Sequence, residues 1–117
     1  AMHGFPGGEA LTGMGQVLLN TAHEQLELLL GDREWLVGDG PTIADAYFAG
    51  VVRWNDFHKT INQTKYPKIT ALRARIDQLP AVKFGYAVEN EQPATTTGAF
   101  RGFVSIEEGS KGVVGFV

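Results

Sequence analysis

The chain has 117 residues, a net charge of −3, 44% hydrophobic and 20% charged residues. That length holds one ordinary core, and the balance is that of a globular protein rather than a disordered or fibrous one. A mildly acidic surface gives nucleic acid or anionic lipid no electrostatic hold, and no apolar run reaches bilayer length. There is no cysteine, which removes disulfides, thiolate metal sites and cysteine nucleophiles together and makes a reducing, cytoplasmic setting the simpler reading. Ala1-Met2-His3-Gly4-Phe5-Pro6 lacks the basic-then-apolar order of a secretory signal.

Residues 1–10 carry Gly4, Pro6, Gly7 and Gly8 and are predicted to be a flexible lead-in. Leu11, Met14, Leu18, Ala22, Leu26 and Leu29 then recur at steps of three and four, which predicts a helix. Gly31 and Asp32 end it, glycine accepting the left-handed conformation without steric penalty. Glu34-Trp35-Leu36-Val37-Gly38-Asp39-Gly40-Pro41 reads as an ordered loop between two turn signals. Thr42-Ile43-Ala44-Asp45 forms a capping box that opens a second helix. In that box the Thr42 hydroxyl accepts from the Asp45 N–H, and the Asp45 carboxylate accepts from the Thr42 N–H. Residues 46–54 are apolar nearly all round, the pattern of a helix inside a bundle.

Asn55 to Lys65 reads as a polar connection containing Phe57 and Ile61. Pro67 opens a third helix with Ile69, Leu72, Ile76 and Leu79 on one side. Pro80 opens a shorter fourth helix through Val88, and Asn90 to Gly98 is a Pro/Thr/Gly-rich exit. The organisation expected is therefore a lead-in over 1–10, a helical domain over 11–90 and an irregular tail over 91–117. Phe100, Phe103 and Phe116 make that tail unusually apolar, which suggests packing on the bundle or on another chain.

Few residues invite chemistry. Asp45 is an acid near the domain centre, but at a helix N-terminus the dipole and N–H donors favour its ionised form and oppose proton transfer. Thr42 and Asp45 are therefore expected to be folding determinants. His3, His23 and His58 have no second ligand at helical spacing, so no metal site is expected. Ser105 and Ser110 lack a nearby histidine partner. The basic residues Lys59, Lys65, Lys68, Arg73 and Arg75 are expected to make a solvated face. No catalytic residue is assigned.

The run Arg33-Glu34-Trp35-Leu36-Val37-Gly38-Asp39-Gly40-Pro41-Thr42-Ile43-Ala44-Asp45-Ala46-Tyr47 resembles the loop and central-helix start of the glutathione transferase C-terminal domain. Tyr66-Pro67-Lys68-Ile69 and Leu79-Pro80-Ala81-Val82 resemble that family's next helix start and its following turn. The resemblance covers about residues 9–90 and leans toward bacterial members. It implies an all-α helical bundle. The intact protein would conjugate glutathione, its co-substrate, to small electrophiles. It would carry a thioredoxin-like N-terminal domain and could form a homodimer. Nothing in residues 1–10 can supply the glutathione site, so this chain by itself is expected to be inactive and to hold no cofactor. The family often places a large apolar residue before the box; Pro41 and Ala46 stand in those places here. Tyr47, Trp54 and Phe57 could line an apolar ligand groove like the family's electrophile pocket; the commoner use of such residues is core or helix-end packing. The alternative function is a non-catalytic interaction module, of the kind appended to translation factors and aminoacyl-tRNA synthetases. A degenerate product without activity is a third reading.

Overall fold

The computed structural model of the chain describes residues 7–94 and 105–111. Every regular element among them is helical, so the fold is all-α. The chain packs as two units that divide between Ile76 and Asp77.

In the first unit, α1 spans Gly8–Leu30. It begins three residues before the apolar spacing does, because Gly7 takes a positive φ and its carbonyl accepts from the Leu11 N–H at 3.0 Å. It stops where Gly31 takes φ 55°. The side of α1 that docks is the polar one. Gln16 Nε2 donates to the Thr60 carbonyl at 3.3 Å, and Tyr66 Oη donates to Asn20 Oδ1 at 2.9 Å. The Glu27 carboxyl accepts from the Lys68 and Ile69 N–H groups at 2.8 and 2.9 Å. Only at its C-terminal end does α1 commit a fully buried apolar residue, Leu30.

The loop that follows turns the chain toward α2, Ile43–Val52. Trp35 fills the core beneath it, and the Arg75 guanidinium lies 5.7 Å from the Trp35 ring while donating to the Glu34 carbonyl. Pro41 and Ala46 are both exposed. The inner face of α2 buries Asp45, Phe48, Ala49 and Val52. A helix apolar all round is expected to be covered all round; here the outer half, Ile43, Tyr47, Gly50, Val51 and Trp54, is open to solvent. Periodicity reports what a face is made of. It does not report whether the chain contains something to lie on it.

The stretch read as a plain connection contains a short helix α3, Asn55–His58, and a single 3₁₀ turn, Gln63–Lys65. Asn55 closes the loop between them by bonding both ways with the Ile61 backbone, Nδ2 to carbonyl at 2.9 Å and N–H to Oδ1 at 2.8 Å. Helix α4, Pro67–Asp77, buries Ile69, Leu72 and Ile76. Its first residue has no N–H, so the donors needing partners at its start are Lys68 and Ile69. Those are the two that Glu27 satisfies from across the unit. The core is thus Leu30, Trp35, Phe48, Ala49, Val52, Ile61, Tyr66, Ile69, Leu72 and Ile76, each of the larger side chains contributing about 1.5–3 kcal/mol by leaving water.

The second unit holds α5, Pro80–Glu89, with proline in its first turn, and α6, Ile106–Ser110. Tyr86 Oη donates to the Asp77 carboxyl at 3.0 Å. The Ser105 hydroxyl caps α6 by accepting from the Glu108 N–H at 3.1 Å, so part of the tail expected to be irregular is helical. Phe100, Phe103 and Phe116, on which the packing expectation for the tail rested, lie outside the described residues.

Candidate functional site

The centre of the first unit is the start of α2. Asp45 is 1% exposed. Its Oδ2 accepts from the Thr42 N–H at 2.8 Å and from the Thr42 hydroxyl at 3.2 Å. Its Oδ1 accepts from the Leu36 N–H at 3.0 Å. The Thr42 hydroxyl accepts from the Ala44 N–H at 3.3 Å and from the Asp45 N–H, so the box closes in both directions. Asp45 therefore ties three things together: its own helix start, the residue that caps it, and the loop nine residues upstream. A carboxyl whose oxygens both face fixed donors is built to hold structure. Its hydrogen-bond partners are two backbone N–H groups and the Thr42 hydroxyl, which is itself engaged in the helix cap.

Tyr47, Trp54 and Phe57 are 77%, 67% and 76% exposed. The core-packing reading of these residues is overturned. The helical pattern was real, but the side facing the core is the one carrying Phe48 and Val52. Tyr47 and Trp54 share the outer face of α2 with Ile43, at steps of four and seven. Phe57 stands on α3. Each of the three side chains is open to solvent. The shallow depression nearby is lined by Asn55, Asp56, Lys59, Ile61, Asn62 and Gln63 and includes none of the three aromatics.

The basic cluster is mostly engaged. Arg73 makes a two-pronged contact with the Asp56 carboxyl at 2.7 and 2.6 Å, which holds the Asp56 pKa below its ordinary value. Arg75 is committed to Glu34 and Trp35, and Lys68 lies 3.7 Å from Asp32. His23 places Nδ1 2.8 Å from the Leu19 carbonyl, with its ring 5.3 Å from that of Tyr66. Burial, helped by Glu24 and Glu27, pushes the Tyr66 hydroxyl above its usual pKa. Sequence reading missed Glu27, Asn20 and Tyr66 as a group. Their separations of 41 to 46 residues leave no local signal.

The family model described as glutathione S-transferase, C-terminal domain, matches residues 9–80. The chain belongs to the glutathione S-transferase C-terminal domain family. The match takes in α1, the loop, the Thr42–Asp45 box and α4, and it ends as α5 begins. A curated relative in this family, the hematopoietic prostaglandin D synthase of Gallus gallus, is 38% identical over 69 residues, covering 56% of this chain and 35% of that protein. The chain thus spans about a third of the length of the curated relative it matches. The lean toward bacterial members finds no support, since this glutathione S-transferase-type relative is a bird protein. No solved structure matches. Among the described residues, no helix is long and apolar enough to cross a membrane.

Proposed function

We propose that this chain is the helical half of a glutathione transferase-type protein, and that it supports a thioredoxin-like domain which carries the glutathione site. The observation behind this reading is the two-sided apolar character of α2. Its inner face is buried in the unit's own core, while Ile43, Tyr47 and Trp54 lie bare on the other. Several large apolar side chains on one open helix face form a patch of the kind that marks an interaction surface. The chicken relative is nearly three times the length of the segment it shares with this chain, which leaves ample polypeptide to lie on that surface.

By itself the chain does not turn over. Transfer of a thiol needs the thiolate generated and both reactants held in one site. The buried carboxyl here is spent on backbone donors, and the apolar aromatics offer at most one wall of a pocket for the electrophile. The intact protein would use glutathione as co-substrate. The prostaglandin activity in the relative's name is that protein's own.

Calorimetric titration of this chain with glutathione tests the division of labour: no saturable heat is expected. The source protein, isolated intact, should be larger by about one domain and bind glutathione. In it, acrylamide should quench Trp54 much less than in this chain. Saturable binding by this chain, or an intact protein of the same mass, would sink the proposal.

A further inference from the structure

We infer that Asp39-Gly40 is a site of spontaneous backbone modification, where aspartate becomes isoaspartate through a succinimide, and that this change loosens the hold of Asp45 on the loop. The reaction needs an aspartyl carboxyl that can move and a following nitrogen that nothing crowds. Asp39 is the one aspartate or asparagine in the sequence followed by glycine, and a residue without Cβ leaves its nitrogen open to close approach. Asp39 is exposed, and no described residue hydrogen-bonds to its carboxyl. It lies outside every helix, after Gly38 at φ 70°, in the kind of surface loop that moves most readily. Other aspartates of the chain are held. Asp45 is buried on three donors, Asp56 is gripped by Arg73, and Asp77 accepts from Tyr86.

The Gly40 nitrogen attacks Cγ of Asp39. The N–Cγ bond forms and the Cγ–OH bond breaks. The hydroxyl leaves with the Gly40 amide proton as one water. Water then opens the ring at either carbonyl. Addition at Cγ restores aspartate. Addition at the main-chain carbonyl of Asp39 breaks its bond to the Gly40 nitrogen. The chain then runs through Cβ and Cγ, and the former main-chain carbonyl becomes a free carboxylate. No oxidant, metal or enzyme is required.

Isoaspartate places one more carbon in the main chain between Leu36 and Thr42. Those are the two residues whose N–H groups the Asp45 carboxyl holds, at 3.0 and 2.8 Å. Hydrogen bonds of that length tolerate roughly 0.5 Å of displacement. The extra carbon–carbon bond lengthens the path by about 1.5 Å. The loop keeps both contacts only by refolding, and Trp35 at its root is buried in the core. Age would therefore weaken the junction of loop and α2 from within. The inference goes beyond the proposed function and needs no glutathione site.

This chain, kept for weeks in warm neutral buffer, should accumulate isoaspartate at position 39, preceded by a species one water lighter. Methyl transfer from labelled S-adenosylmethionine by an isoaspartyl methyltransferase counts the product. The tryptic peptide 34–53 locates it and contains Asp45 as an internal control. A protease that cuts before aspartate should still cut that peptide at Asp45 and progressively fail at position 39. Gly40→Ala should stay at the control level. A Cβ there would meet nothing within 4 Å, and Gly40 does not adopt the left-handed conformation, so the variant keeps the loop. Asp39→Glu, whose longer side chain closes the ring poorly, should stay silent too. The aged chain should unfold at lower urea concentration than aged Gly40→Ala. Its Leu36 amide should exchange faster while that of Leu72 stays as in fresh protein. Three results would overturn the inference: no more isoaspartate at position 39 than at Asp45, ageing of Gly40→Ala and Asp39→Glu at the rate of the unaltered chain, or an isomerised chain with the urea midpoint and Leu36 exchange of fresh protein.

Discussion

Asp45→Ala should be the most damaging conservative-sized change in the first unit, and its cost can be worked from the hydrogen bonds. The carboxyl accepts from two backbone N–H groups, Leu36 and Thr42, and from one hydroxyl, at a site 1% exposed. Losing it strands the half-buried Leu36 N–H at about 1–3 kcal/mol and unmakes one side of the helix cap at about 0.5–2 kcal/mol. A central value near 3 kcal/mol corresponds to a fall in melting temperature of about 12 °C for a domain of this size. The Thr42 hydroxyl, by contrast, is exposed to water, and its contacts with the Asp45 carboxyl and the Ala44 N–H are long, 3.2 and 3.3 Å. Thr42→Val should therefore cost under about 1 kcal/mol, the lower part of the capping range. Asp45→Asn keeps one acceptor oxygen but turns an NH₂ toward a donor, so it should recover less than half of the alanine loss. Urea unfolding followed by far-ultraviolet circular dichroism measures all three. If Asp45→Ala cost less than about 1 kcal/mol, or less than Thr42→Val, then the carboxyl is not what joins loop to helix, since a satisfied buried acceptor cannot be that cheap to remove.

Glu27→Gln should cost about 1 kcal/mol, because one of its two N–H contacts at the start of α4 loses its acceptor; amide exchange at Lys68 and Ile69 should quicken more than elsewhere in α4. Tyr66→Phe should lower stability, as Asn20 loses its donor. It should also abolish an alkaline effect: the Tyr66 pKa is raised on folding, so its contribution is whole below pH 10.0 and fades as pH climbs through the folded value. The Asp56 pKa is lowered chiefly by the hydrogen bond from Arg73, so that contact stabilises above pH 3.8 and fades as pH falls below it. Because Asp56 is half exposed, Asp56→Asn should cost at most about 1 kcal/mol at neutral pH and nothing in acid, which parallel denaturation series at the two pH values would check.

What could be read from the sequence was whatever acts within a turn or two. The Thr42–Asp45 pair sits at a spacing of three, and Pro67 and Pro80 mark helix starts by chemistry that needs no neighbours. Ile69, Leu72 and Ile76 announce a stripe and deliver it. The third partner of Asp45 could not be read, because Leu36 reaches it only after the loop folds back. Nor could the docking side of α1, where periodicity picks out Leu11 to Leu29 while the helix is held by Gln16, Asn20 and Glu27. Apolar spacing predicts burial only when the chain supplies something to bury against. On α1 and on the outer face of α2 the described residues do not.

The hydrogen-bonded seam between α1 and the rest of its unit bears on how stability changes with temperature. Exposing apolar surface raises the heat capacity and exposing polar surface lowers it. Undocking the middle of α1 would uncover the polar groups of Gln16, Asn20, Glu27 and Tyr66 along with hydrocarbon, so the polar contribution would offset part of the apolar one. Warming or cooling should therefore change the hold on this helix less than it changes the core around Leu72 and Ile76. Near freezing, where burial of hydrocarbon weakens, α1 should be among the last elements to let go.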